Sequence, residues 1–202
     1  MLQLQHLTLY RDHQKVCEDL SVNIAKGECL LIEGKTGSGK TTLMECLLGR
    51  LKPSHGEVLL DGHDLHLLDR SEQQQFLAST GIVLQDNLLR PHDTLEQSLS
   101  QDGVTPENLR YVLSLLHFED RAQRPIRQFS HAEQRKIDLA RSLAKRPKLI
   151  LWDEPFLGLD KASKMDFQRE LLALKSSGST LVIASSSPHE FDFLNPEKIM
   201  TL

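Results

Sequence analysis

Two hydrophobic periods alternate along this chain. The opening segments LQLQHLTLY (2–10) and LSVNI (20–24) place apolar and polar residues in turn, the period of antiparallel strands with one covered face. The run CLLI at 29–32 is continuously apolar, as a strand buried on both faces must be, and it leads straight into a glycine-rich turn. From Thr41 to Leu51 the residues Leu43, Leu47, Leu48 and Leu51 fall at helical spacing, with Gly49 and Pro53 marking the stop. GEVLLDGHDL (56–65) reads as strand and turn, and GIVLQ (81–85) as another short buried strand. Between Asp86 and Gln128 the pattern turns helical, with starts at Asp93 and at Thr105, the latter followed by Pro106 at the first helical position. A helix from Ser130, the strand KLILWDE, a helix near 162–175, the strand TLVIA and the short strand KIMTL complete the series. Alternating strands and helices predict an α/β fold whose central sheet is mainly parallel. To it are added an N-terminal antiparallel β part and an inserted helical subdomain, with the core at 1–85 and 130–202 and the helical part at 86–129.

Composition narrows what such a fold does. The 202 residues suffice for one domain with a real core, and 39% hydrophobic with 26% charged residues is ordinary for a globular protein. No apolar run reaches the roughly 20 residues of a membrane span, so any membrane role comes through a partner. The first residues lack the basic start and apolar stretch of a secretory signal, which predicts a cytoplasmic protein. A net charge of -4 offers no general attraction to nucleic acid. Cys17, Cys29 and Cys46 are odd in number and unpaired in spacing, and read as buried small hydrophobes rather than a disulfide or zinc framework. His55, His63 and His66 fall across a strand-turn region and read as solvated turn residues.

The chemistry is concentrated at two places. GKTGSGKT at 34–41 satisfies GxxxxGK[ST] and lies between a predicted strand and a predicted helix, the context that gives the motif meaning. In such a loop, Gly34, Lys35, Thr36, Gly37, Ser38 and Gly39 turn backbone N–H groups inward to hold phosphate oxygens, together with Thr42 at the helix start. Lys40 reaches the β- and γ-phosphates and the Thr41 hydroxyl binds Mg²⁺. The bland alternative is a flexible turn before a helix. Asp153 and Glu154 end the apolar run LILW, at the tip of a strand that opens on the same crevice. One carboxylate suits a magnesium ion and its water shell, the other an attacking water to be oriented and deprotonated. Asp153 fits the first role and Glu154 the second; alone, a DE pair is usually a solvated loop end.

These residues and their order resemble the ATP-binding subunits of ABC transporters over nearly the whole chain. The resemblance is carried by KGECLLIEGKTGSGKTTLMECLLGRLKPSHGEVLLDG, GIVLQDNLL, RQFSHAEQRKIDLARSLAKRPKLILWDEPFLGLD and STLVIASSSP. It implies a P-loop NTPase of ABC type that binds ATP and Mg²⁺. It also implies that the chain dimerises on ATP and hydrolyses it to drive or gate a separate membrane permease from the cytoplasmic face. By the same resemblance Tyr10 stacks on adenine, Gln85 contacts Mg²⁺ and senses the permease, and Asp160 lies in the loop joining two active sites. The structural alternatives are a strand-edge Tyr10, a strand-ending Gln85 and a helix-capping Asp160.

Two departures from the family pattern bear on turnover. Ser130, His131, Ala132 and Glu133 align with the signature LSGGQ, which acts in trans on the partner's γ-phosphate, but two glycines have become His131 and Ala132. Ser130 and Glu133 still spell a capping box, so the helix and its positive end are expected to persist. Ser186 takes the position of the family's switch histidine, while His189 reads as an exposed helix-start residue. Loss of one preorganised transition-state donor costs on the order of 2.7 to 4 kcal/mol, which predicts slow hydrolysis. The partner is a second copy or a different ATP-binding subunit. The alternative function is a nucleotide-gated regulatory or structural subunit of a membrane complex, with little hydrolysis. A DNA- or ribosome-directed ATPase fits less well, since neither a coiled-coil insertion nor a second ATP-binding unit is present.

Overall fold

The computed structural model describes residues 1–86, 88–100 and 103–202. β1 (Leu2–Arg11) and β2 (Gln14–Ile24) form an antiparallel hairpin closed by Asp12 and His13, both at positive φ as a two-residue primed turn requires. β3 (Cys29–Glu33) follows and runs into the glycine-rich loop and α1 (Lys40–Leu47). β4 (His55–Leu60) returns to pair with β1, and the short β5 (His63–Asp64) completes a four-stranded sheet in the order β2-β1-β4-β5. After α2 (Arg70–Ser79) come β6 (Thr80–Val83), then α3 (Leu95–Leu99), α4 (Pro106–Leu116) and α5 (His131–Leu143). β7 (Leu149–Asp153), α6 (Lys161–Ser176), β8 (Thr180–Ser185) and β9 (Lys198–Thr201) close the series. The second sheet is parallel throughout, in the order β6-β7-β8-β3-β9.

Burial explains why its inner strands read as unbroken apolar runs. Along β3, Cys29 and Leu31 join one core cluster while Leu30 and Ile32 join the other. The same alternation splits Ile150 and Trp152 from Leu149 and Leu151 on β7, and Leu181 and Ile183 from Val182 and Ala184 on β8. Each face therefore needs its own apolar cover, from α1 and the antiparallel sheet on one side and the later helices on the other. Full burial of each leucine, isoleucine or valine among them contributes roughly 1.5–3 kcal/mol.

Several sequence expectations are corrected. The helix 70–79 was not foreseen: its apolar face is thin, with Phe76 its one buried residue, and its signal is the capping box Asp69–Glu72. The helix expected to reach Leu51 stops at Leu47. Asp93 does not start a helix; Thr94 caps α3, accepting from the Gln97 amide, and the Asp93 carbonyl accepts from Ile126 instead. His66 is not solvated: its side chain is 4% exposed and Nε2 donates to the Leu51 carbonyl at 2.9 Å. Cys29 and Cys46 are buried as expected, which pushes both thiols up to about 12. Within the helical stretch, Asn87, Gln101 and Asp102 lie outside the described residues.

Candidate functional site

The glycine-rich loop leaves β3 at the carboxyl end of the parallel sheet, where open α/β sheets bind ligands. A Cβ at Gly34 would stand 2.4 Å from Ser38 Oγ and 2.8 Å from the Leu202 carbonyl, so the turn closes only over a glycine. Gly39 caps α1 at φ 103, and a Cβ there would lie 2.4 Å from Val16 of the β1–β2 hairpin. No side chain caps this helix, so its first amides remain directed at the loop. The hairpin is tied to α1 by Arg11, which donates to Glu45 at 2.7 Å. Tyr10 stands 45% exposed on that hairpin, opposite Lys15.

Lys40 is buried, and its ammonium donates to the Gly34 carbonyl at 2.7 Å and the Lys35 carbonyl at 3.1 Å. It also stands 3.2 Å from Glu154. The Thr41 hydroxyl donates to Asp153 Oδ2 at 2.5 Å, linking the loop to the tip of β7 across the intervening β8. Burial pushes the Asp153 carboxyl above its ordinary range, against the Thr41 hydrogen bond and with Glu154 adding to the rise. Two buried oxygens have no protein partner here, Ser38 Oγ and Asp153 Oδ1. An unmet buried polar atom costs about 1–3 kcal/mol, and a hydroxyl on the loop together with a carboxylate oxygen at the tip of β7 suits a phosphate with its divalent ion. The donor set therefore fits a magnesium nucleotide.

Glu154 leaves the strand at φ 47, with its amide donating to the Ala184 carbonyl at 2.8 Å. Ser186 Oγ donates to Glu154 Oε2 at 3.2 Å, so the residue at the switch position touches the proposed base directly. His189 is 92% exposed at the side chain and stands 3.8 Å from Asp192. Gln85, just beyond β6, lines a cavity of about 190 Å³ together with His131, Arg135, Glu154 and Leu157. Lys35, Thr36 and Gly37 form the outer turn of the loop, with Gly37 at φ 84, and Thr42 is buried in the first turn of α1.

The segment at 130–133 keeps its helix start. Ser130 caps α5, and Glu133 accepts from both the Ser130 amide and hydroxyl. Arg121 donates to Glu133 at 2.7 Å and sits 4.4 Å over the rings of both Phe118 and Phe129. The Arg121 hydrogen bond, helped by those from Ser130, holds the Glu133 carboxyl down at about 2. His131 and Ala132 are exposed. Asp160 caps α6 through Ser163 and pairs with Lys136 at 2.9 Å, which holds its carboxyl well below the usual range.

A family model described as ABC transporter matches residues 17–157. The chain belongs to this family. Its structure is that of an ABC transporter nucleotide-binding domain, similar to the dimeric MJ0796 cassette bound to ADP and Pi at a TM-score of 0.87 with 25% identity, covering 100% of this chain and 94% of that one. Among curated relatives, the putrescine transport ATP-binding protein PotG of Escherichia coli K12 is 36% identical over 199 residues, 94% of this chain and 52% of PotG. The taurine import ATP-binding protein TauB of Pseudomonas aeruginosa is 32% identical over 194 residues, 92% of this chain and 71% of TauB. The chain spans about half the length of the first of these relatives.

In this ABC domain one half-buried residue at the site leaves no pattern in the sequence. Among the described residues Arg135 extends four N–H bonds, all to main-chain carbonyls: Leu84 at 2.5 Å, Asp153 at 2.8 Å, Glu154 at 2.7 Å and Pro155 at 3.2 Å. A lone arginine on an amphipathic helix reads as a solvated face, and no spacing reveals carbonyl partners. Lys136, which meets Asp160, is equally silent in sequence.

Proposed function

We propose that this chain binds Mg-ATP on the loop 34–41 and hydrolyses it slowly, as one of a pair of ATP-binding subunits that drive or gate a separate membrane permease. The observation that carries this reading is the junction of Lys40, Thr41, Asp153 and Glu154: Thr41 bonds Asp153, Lys40 pairs with Glu154, and Ser38 and Asp153 each keep a buried oxygen unpaired. Magnesium, when bound, neutralises phosphate charge and fixes phosphate orientation. Thr41 and Asp153 are the residues that would hold it, with Gln85 nearby, while Lys40 and the loop amides counter the remaining charge. Glu154, held by Lys40 and Ser186, would orient a water and accept its proton. Tyr10 would face the base from the hairpin, and Asp160 the opposite subunit. A two-part organisation, core 1–85 and 130–202 with a helical part at 86–129, accompanies this reading. No helix among the described residues is long and apolar enough to cross a membrane, which agrees with a peripheral position on the cytoplasmic face beside a membrane partner.

Ser186 and the exposed His131 favour a second reading, a nucleotide-gated subunit with little turnover, because neither reproduces the family's γ-phosphate contacts. Phosphate release from Mg-ATP by the wild type and by Glu154→Gln, with the copurified membrane partner present, separates the two. Slow hydrolysis predicts a wild-type rate about 10²-fold or more above the variant. Equal rates would leave only the gated reading.

A further inference from the structure

β6 and β7 pair in parallel up to Val83 and Trp152, and there the ladder ends. Beyond that pair β6 gives way to Leu84 and then Gln85, while β7 continues to Asp153, its last residue, and then to Glu154. Past it the carbonyls of Leu84, Asp153 and Glu154 have no β6–β7 pair to take them. Arg135, on the second turn of α5, fills that role: its Nη1 takes the Leu84 carbonyl, Nη2 takes Asp153 and Glu154, and Nε takes Pro155. The guanidinium is inaccessible enough that burial pushes it down, opposed by Asp138, Asp153 and Glu154. No carboxylate oxygen bonds it among its hydrogen-bond partners, so its fork is spent on backbone.

We infer that Arg135 is a positioning residue that continues the β6–β7 ladder beyond the strands' ends and so sets Gln85 and Glu154 relative to each other. This rests on the proposed roles of those two residues. Glu154 leaves β7 at φ 47, a conformation that L residues hold only when surrounding bonds over-determine it, and two of those bonds come from Arg135 to its own and the following carbonyl. α5 begins with the signature segment one turn earlier, so any displacement of 130–133 by a second subunit is carried along one helix to both carbonyl groups. A planar fork offers five donors in fixed directions, enough for these four carbonyls at once, whereas an ammonium offers three donors on a flexible stem. Arg135→Lys is thus not conservative at this place.

Hydrogen exchange of the full chain without nucleotide is the first measurement, on Arg135→Lys and Arg135→Gln, each checked for a cooperative thermal transition. Exchange is expected to rise about tenfold in peptides covering both 82–86 and 153–157, and to stay unchanged over α6. A rise in one segment only, or in neither, overturns the inference whether or not the protein hydrolyses ATP. Where the wild type turns over, Arg135→Lys is expected to lower kcat about 10- to 100-fold with Mg-ATP affinity within threefold, and to add nothing in a Glu154→Gln background. Unchanged kcat, or a loss that multiplies with Glu154→Gln, also overturns it. Absence of wild-type turnover would count against the hydrolytic reading alone, because the exchange result stands by itself.

Discussion

At the scale of single residues, the loop is governed by backbone that only glycine fits. Gly39 combines φ 103 with a Cβ position 2.4 Å from Val16, two separate penalties. Gly39→Ala is expected to destabilise the chain by about 1–3 kcal/mol and to abolish nucleotide binding. Adding Val16→Ala should remove the contact but not the strain, so stability recovers only in part; full recovery in denaturant titrations would contradict this assignment. The motif made Gly34, Lys40 and Thr41 legible in the sequence because loop chemistry fixes residue type at fixed spacing. Arg135 and the buried His66 were illegible for the converse reason. A side chain whose partners are carbonyls from distant segments leaves no pattern in its own neighbourhood.

At the scale of elements, α5 shows how a start signal survives loss of the glycines beside it. The capping box Ser130–Glu133 was readable as a pair of residue types three apart, and the structure adds Arg121 as its outer clamp. Glu133 is held at about 2, below the ordinary 4.5, so its contribution to stability is full above the unfolded value and is lost as pH falls from about 5 towards 2. Arg121→Gln should therefore lower the thermal midpoint at pH 7, with the gap from wild type closing at about pH 2. A gap that persists there would assign Arg121's effect to its stacking on Phe118 and Phe129 instead. The element boundaries expected from periodicity erred where caps rather than apolar faces decide them, as at Thr94 and in α2.

At the scale of the whole molecule, a parallel sheet buried on both faces delivers the ends of β3, β7 and β8 to one crevice, while the hairpin of the antiparallel sheet leans on the loop through Val16. The α/β class and the order of elements, α2 apart, were legible because continuous apolar runs demand cover on two faces. The pairing order β6-β7-β8-β3-β9 was not, since no local signal says which strands become neighbours. The signature segment likewise lies apart from Gln85 and Glu154 in sequence, yet its helix α5 meets the chain beside both through Arg135. On the proposed reading 130–133 of one subunit faces the nucleotide of the other, and His131 stands exposed in that segment.

Calorimetric titration of the folded chain with ATP and magnesium decides whether the loop 34–41 holds a nucleotide. Saturable binding by the wild type, weakened about 100-fold or more by Lys40→Ala through loss of charge-assisted bonds to phosphate, is the predicted result. Absence of binding by the wild type, or equal binding by the two proteins, would contradict it.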